Sequence, residues 1–195
     1  MDTPYTWTVD VDGGDWGGRT NEYKGIEEGM PLILDLFEKY NVKAIFFVST
    51  ELLTEYPTLL QGIRNYGHEI GSHGHFHTSY KEKWRSEADR NLSISLIAKD
   101  QSIPKESIRY RAPKFNFEVG GELYSDRKGH VGLLKHMWLN TKIPGNPIFY
   151  LHPFDIVGGN NPPNLFCRLW YSKPNKALQL LNNMLQKYTG SQRLR

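Results

Sequence analysis

Short apolar segments alternate with amphipathic segments along this chain, and this alternation constrains the fold more than any other feature. The apolar, β-branched segments that predict buried strands are residues 5–11, 43–48, 68–72, 108–111 and 148–151. The segments with apolar side chains at helical spacing are residues 26–40, 56–66, 81–99 and 176–188. Strands that alternate with helices predict βα units around a mostly parallel sheet. We therefore expect an α/β fold in a single domain that spans residues 1–195.

Composition excludes several classes of protein. With 38% apolar residues in 195, the chain can bury a core, and its net charge of +3 is too small to indicate nucleic-acid binding. Cys167 is the only cysteine and cannot form an internal disulfide. The longest apolar run, residues 44–48, is far shorter than the roughly 20 residues of a membrane span. The N-terminus shows no leader, so we expect a cytoplasmic protein without a membrane span. The sequence carries no signal for an oligomeric state.

Polar side chains that could carry chemistry lie at or just past the C-terminal ends of the predicted strands. They are Asp10, Asp12, His73, His77, Arg111 and His152. In α/β folds with a parallel sheet, binding and catalytic sites form where the strands end. The positions of these residues therefore predict a common site.

Asp10 and Asp12 lie two residues apart at the end of the first predicted strand, so alternation places them on one face. Two carboxylates that close repel each other and need a cation or a proton between them. A solvated turn after an edge strand is the alternative, but Val9 and Val11 favour a buried strand. An EF-hand does not fit, because Asp15 stands where that loop requires glycine.

Four of the seven histidines lie within ten residues, 68–77. His73 and His77 are four apart and can share one face of a helical turn or of a strand. Converging neutral imidazoles are typical ligands of zinc or another divalent transition metal, although a surface histidine cluster is the alternative. We expect His75 to line the pocket rather than bind the metal. Two histidines and one aspartate would leave coordination positions open, as in catalytic metal sites.

Arg111 and His152 complete the set of candidate residues. An arginine at a strand end can hold a neighbouring carboxylate in its ionised form, although a surface arginine fits the local sequence equally well. His152 follows an apolar strand. It is either structural or a general acid for a leaving group.

The order of these motifs resembles the polysaccharide deacetylases, the NodB-like carbohydrate esterase family 4. That family has paired aspartates near the N-terminus, then His-x-x-x-His, then Arg-x-Pro and finally Leu-His. The matching residues are Asp10 and Asp12, His73 and His77, Arg111 and Pro113, and Leu151 and His152. The resemblance implies a distorted (β/α) barrel that hydrolyses an N-acetyl or similar N-acyl amide of an amino sugar, in a polysaccharide or glycan precursor.

The resemblance also implies a role for each residue. Asp12, His73 and His77 would bind one divalent metal ion, with zinc expected and cobalt, iron or manganese as alternatives. Asp10 would be the catalytic base, Arg111 would orient it, and His152 would protonate the departing amine. The expected substrate contacts are Leu151 in the acyl pocket, Pro113, a backbone N–H near Lys114, and Trp138.

Some features depart from the family pattern. Gly74 stands where the family has Ser or Thr, and Lys114 where an aromatic residue is common. Only 40 residues (112–151) separate Arg111 from His152, which predicts a barrel shortened by one βα unit or partly open. The family's later Asp and Trp have no clear match. The candidates are Asp126 or Asp155 for the Asp that orients the acid and Trp138 for the Trp.

Three other classes are compatible with parts of the sequence. Asp10-Val11-Asp12-Gly13 also resembles the start of haloacid-dehalogenase-like phosphatases, but that class lacks a role for the histidines and needs a later acidic pair. An amidohydrolase barrel could use His73 and His75, although such pairs belong to the first strand. A carbohydrate-binding relative of the deacetylase fold with weakened catalysis is the third alternative.

Overall fold

The computed structural model describes residues 6–13, 23–76, 83–111, 113, 130–132, 148–157 and 174–190. The chain divides into two compact units. The first unit comprises Met1–Val9, Gly14–Ala44 and Gly129–Arg195, and the second comprises Asp10–Gly13 and Ile45–Lys128. The first strand runs from one unit into the other, and its last two residues belong to the second unit.

The described elements alternate as predicted up to residue 101, and the strand at 130–132 is one that the sequence analysis does not predict. The strands are β1 (Thr6–Val11), β2 (Ala44–Val48), β3 (Glu69–Ser72), β4 (His130–Gly132) and β5 (Ile148–Leu151). The helices are α1 (Met30–Lys39), α2 (Leu59–Asn65), α3 (Lys83–Gln101), α4 (Pro153–Val157) and α5 (Pro174–Gly190). A π-helical turn covers Gly25–Gly29, and 3₁₀ turns cover Thr50–Leu53 and Lys105–Ser107. In the parts of the chain that these ranges cover, no helix is both long and apolar enough to cross a membrane.

In the first unit, β5 pairs in parallel with the start of β1 and, along its other edge, with β4. Trp7 of β1 stacks on Phe149 of β5 at 4.5 Å between ring centroids, and Tyr188 of α5 lies 4.9 Å from Phe149. Phe37 of α1 also packs against Trp7, with 5.9 Å between the ring centroids. These aromatic rings form the core against which α1 and α5 bury their apolar faces.

The short helix α4 packs closely against the turn that precedes α1. A Cβ added to Gly29 would lie 2.2 Å from the carbonyl oxygen of Pro153, and one added to Gly25 would lie 2.9 Å from the backbone nitrogen of Phe154. Because both contacts are to backbone atoms, neither position has room for a side chain. The two glycines therefore fix how closely the segment after β5 can pack.

In the second unit, β2 pairs in parallel with β3, from Ile45 opposite Glu69 to Val48 opposite Ser72. All five residues of β2 are buried. The backbone N–H of Ser49 donates to the carbonyl of Val11, which connects the end of β2 to the end of β1. The α/β fold with a parallel sheet that the alternation predicts is confirmed.

One detailed prediction is wrong. The segment 108–111 is not a strand, because only Tyr110 forms a bridge, in parallel with Ser72. Ala88 and Leu92, which helical spacing places on one side of the segment 81–99, are both exposed in α3. The helix instead buries Asp89 and Ser93. The carboxylate of Asp89 accepts a hydrogen bond from the N–H of His75, which follows β3, and the hydroxyl of Ser93 hydrogen bonds with that of Ser72, the last residue of β3.

Candidate functional site

The end of β1 places two carboxylates in the second unit. β1 ends at Val11, and Asp10 and Asp12 are 4% and 6% exposed. Burial of two acidic side chains two residues apart is costly unless opposite charge is supplied. The structure therefore provides the acidic strand end that the sequence predicts.

Arg111 supplies part of that opposite charge. Its Nη1 lies 2.5 Å from Oδ1 of Asp10, and its guanidinium lies over the ring of Phe47 at 4.3 Å. Both partners of the ion pair are buried, so solvent screens their attraction weakly. The pair holds the Asp10 carboxylate in one orientation and favours its ionised form.

The backbone of Arg111 orients His73. His73 directly follows β3 and is 3% exposed, and its Nδ1 lies 2.9 Å from the carbonyl oxygen of Arg111. A carbonyl can only accept a hydrogen bond, so Nδ1 carries the proton and Nε2 carries the lone pair. In metal-binding histidines, a hydrogen bond from the ring nitrogen that does not bind the metal typically fixes the orientation of the ring.

Backbone hydrogen bonds connect the segment 73–76 to the last residue of β2 and to the chain that follows it. The N–H of His73 donates to the carbonyl of Val48, and the carbonyls of Gly74 and His75 accept from the N–H groups of Thr50 and Glu51. These three bonds measure 3.0, 3.0 and 3.1 Å. The backbone of the segment is thereby fixed on the side of β2.

The side chain of Thr50 adds a further tie, since its Oγ1 lies 2.9 Å from Nδ1 of His75. This contact gives one ring nitrogen of His75 a protein partner. The sequence reasoning did not identify Thr50. The local signal that could have indicated it is the Ser49-Thr50 pair directly after the apolar run 44–48.

Negative charge accumulates around the strand ends of the second unit. Burial raises the pKa of Glu51, and the nearby carboxylates of Asp89 and Asp12 raise it further. Burial, followed by the charge of Asp89, likewise raises the pKa of Tyr110 to about 12, against a smaller opposing effect of Arg90. Excess carboxylate charge of this kind favours a bound cation.

In the first unit, His152 lies directly after β5 and precedes α4. The carboxylate of Asp155 accepts a hydrogen bond of 2.8 Å from the backbone N–H of His152, and its Oδ2 lies 3.4 Å from Nδ1 of the ring. The ring also stacks on Phe154 at 4.7 Å. Pro153 at the first helical position and Asp155 two residues later form a helix start that fixes the backbone of His152.

The remaining predicted site residues fall into two groups. Leu151 and Pro113 are described and buried, and the ring of Pro113 lies near Gly74, with Cγ 3.5 Å from a Cβ added there. The candidates that lie outside the described residues are His77, Lys114, Trp138 and Asp126. Among the residues that the structure does describe, no group of three or more His, Cys, Asp or Glu side chains could hold a metal ion. The described part of the predicted ligand set is Asp12 and His73.

A family model and a curated relative each match about half of this chain. The family model for polysaccharide deacetylases matches residues 14–114, which include both histidines of the predicted pair and Arg111. A curated peptidoglycan-N-acetylglucosamine deacetylase from Bacillus cereus is 34% identical over 100 residues. That match covers 51% of this chain, and the chain spans about a third (34%) of the relative's length.

Solved structures share the fold at low sequence identity. The peptidoglycan N-acetylglucosamine deacetylase Bc1960 is 18% identical with a TM-score of 0.57, over 95% of this chain and 83% of that one. A mutant of BA3943, a pseudoenzyme of carbohydrate esterase family 4 with restored enzymatic activity, is 17% identical with a TM-score of 0.56. This second match covers 97% of this chain and 63% of that one. Wild-type BA3943 comes from Bacillus anthracis. These likenesses confirm the deacetylase type of fold. With the family match over more than half of the sequence, they show that the chain belongs to the polysaccharide deacetylases, the NodB-like carbohydrate esterase family 4.

Proposed function

We propose that the protein is a metal-dependent hydrolase that removes an N-acetyl, or similar N-acyl, group from an amino sugar in a polysaccharide or glycan precursor. The observation that carries the proposal is the double role of Arg111. Its side chain binds the buried carboxylate of Asp10, and its carbonyl sets the tautomer of His73. A proton acceptor and a metal-ligand candidate are thus fixed by one residue, as a hydrolytic site requires.

The proposed metal ligands are Asp12, His73 and His77. One carboxylate and two imidazoles suit zinc, and also cobalt, iron or manganese. The described donors fit such an ion, because His73 presents Nε2 as its lone-pair nitrogen and Asp12 is a buried carboxylate. When bound, the cation would polarise the amide carbonyl and stabilise the negative charge that develops on its oxygen.

The protein side chains would move the protons. Asp10, held in its ionised form by Arg111, would accept a proton from the attacking water. His152, oriented by Asp155, would donate a proton to the amide nitrogen as the carbon–nitrogen bond breaks, which gives acetate and a free amine. We assign substrate contacts to Leu151, Pro113, Lys114 and Trp138. The curated relative's name supports N-acetylglucosamine as the amino sugar.

Acetate release from N-acetylglucosamine oligomers and peptidoglycan fragments tests this function. The chain is stripped of metal and then supplied with zinc, cobalt, iron or manganese. We expect acetate only with metal, and a loss of about 10²–10⁴-fold in kcat for Asp10→Asn, the size of a general-base contribution. Asp35→Asn on the exposed face of α1 is the matched control and should leave kcat unchanged.

Two outcomes would contradict the proposal. Equal kcat in wild type and Asp10→Asn would remove the base from the reaction. Oligomer binding without acetate release under any of the four metals would favour the carbohydrate-binding alternative. A pseudoenzyme with this fold gives that alternative a precedent.

A further inference from the structure

Asp89 belongs to α3, but its side chain accepts hydrogen bonds from the segment 73–76, which follows β3. Asp89 is 7% exposed. Its Oδ2 accepts a bond of 2.8 Å from the N–H of His75, and its Oδ1 accepts one of 2.7 Å from the N–H of Phe76. Each carboxylate oxygen therefore holds one of two successive backbone N–H groups. A carboxylate that accepts two such bonds forms strong, directional contacts.

Gly74 makes this contact geometrically feasible. Its φ is +86°, a conformation that L side chains rarely adopt, and a Cβ added there would lie 2.4 Å from Oδ2 of Asp89. Any side chain at position 74 would both strain the backbone and displace the carboxylate. The glycine and the buried aspartate thus fit only as a pair.

One helical turn later, a second side chain of α3 forms a hydrogen bond with the last residue of β3. Ser93 follows Asp89 by four residues and is fully buried, and the hydroxyls of Ser93 and Ser72 hydrogen bond at 2.8 Å. The hydroxyl oxygen of Ser72 also accepts a bond of 3.2 Å from the N–H of Gly74. The polar face of α3 therefore contacts residues on both sides of His73: the hydroxyl of Ser72 and the backbone N–H groups of His75 and Phe76.

We propose that Asp89 is a positioning residue for metal binding: its carboxylate fixes the backbone that follows His73, and Gly74 permits the close approach. The inference rests on the proposed function, because it takes His73 as a metal ligand. Asp89 itself does not touch the metal or the substrate in this role. It acts by holding the imidazole of His73 at the orientation that its ligand role requires.

Asp89→Asn is the most informative change. Asparagine keeps the size of the side chain but replaces one acceptor oxygen by an NH₂ donor, so it can satisfy only one of the two N–H groups. Asp100→Asn is the matched control. It makes the same chemical change on the same helix, where Asp100 pairs with Arg64 at the surface.

Zinc affinity, measured by competition with a chromophoric chelator, is the primary measurement. For Asp89→Asn we expect a loss of about 10–100-fold, the size found for residues that orient metal ligands, with an unchanged circular dichroism spectrum. Asp100→Asn should bind zinc as wild type does. Gly74→Ala should show a similar loss, and it serves as the second variant if Asp89→Asn does not fold.

Amide hydrogen exchange of the metal-free protein gives an independent measurement. Exchange of the His75 and Phe76 amides should accelerate in Asp89→Asn, whereas the amides of β2 should stay protected. This measurement requires neither metal nor activity. Unchanged protection of both amides would overturn the proposed contact.

A His73→Ala variant separates the two proposals. Zinc affinity that falls in His73→Ala but is unchanged in Asp89→Asn and Gly74→Ala would refute the positioning role alone. A wild-type chain that bound no zinc, or one whose affinity did not depend on His73, would refute the proposed metal site and the positioning role together.

Discussion

Removing the side chain of Arg111 should destabilise the protein far more than removing that of Arg109, two residues earlier. Arg111 and Asp10 form an ion pair in which both side chains are at most 10% exposed. Arg109 and Glu69 form an ion pair of 2.9 Å in which both side chains are 44–45% exposed. The chain thus contains a buried and an exposed pair close enough to serve as matched sites.

The expected magnitudes follow from burial. Arg111→Met leaves Asp10 as a buried charge without its partner, which typically costs about 3–5 kcal/mol. The lost contact with the ring of Phe47 adds roughly 0.5–2 kcal/mol. Arg109→Met removes a solvent-screened pair, and we expect a cost of about 0–1 kcal/mol. Methionine preserves much of the aliphatic packing at both positions.

Urea unfolding followed by tryptophan fluorescence and circular dichroism measures both costs. In the double variant Asp10→Asn/Arg111→Met, the loss should be less than the sum of the single losses. Equal costs for Arg111→Met and Arg109→Met would refute the reasoning.

Three further predictions concern other parts of the molecule. Gly29→Ala should lower the Tm, because its Cβ would overlap the carbonyl of Pro153, whereas Gly62→Ala, with open space around it, should stabilise α2 by about 0.4–1 kcal/mol. Asp155→Asn should lower kcat and leave KM unchanged, since it removes the negative charge beside the ring of His152; steady-state kinetics would show this. In the metal-free protein, Glu51→Gln should raise the free energy of unfolding at neutral pH and have no effect well below pH 4.5. The sign follows because a carboxyl whose pKa is raised on folding costs stability once the pH rises above its ordinary value.

The parts of the fold that are set by local pattern could be predicted from the sequence. The bounds of β5 agree with prediction, and the buried face of α1 contains Ile33 and Phe37 as the spacing indicates. In both cases an apolar run or stripe alone decides which residues are buried. The positions of Asp12, His73 and His152 directly after strands were predictable for the same reason.

The parts that depend on distant partners could not be predicted. The π-helical turn before α1 packs against the backbone of Pro153, more than a hundred residues away in the chain. The buried face of α3 contains Asp89, which hydrophobic patterning assigns to solvent. Its burial is explained only by hydrogen bonds to His75 and Phe76, and these contacts have no signature in the spacing of residues.

Arg111 makes its two contacts through chemically different parts of the residue. The guanidinium that contacts Asp10 can be deleted by mutation, but the carbonyl that accepts the hydrogen bond from His73 belongs to the main chain and is present in every variant. Replacement of Arg111 would therefore separate binding at the proposed metal site from the proposed turnover. A chain with Met or Leu at this position should still load zinc while hydrolysing poorly, which would make it a suitable trap for an intact substrate complex.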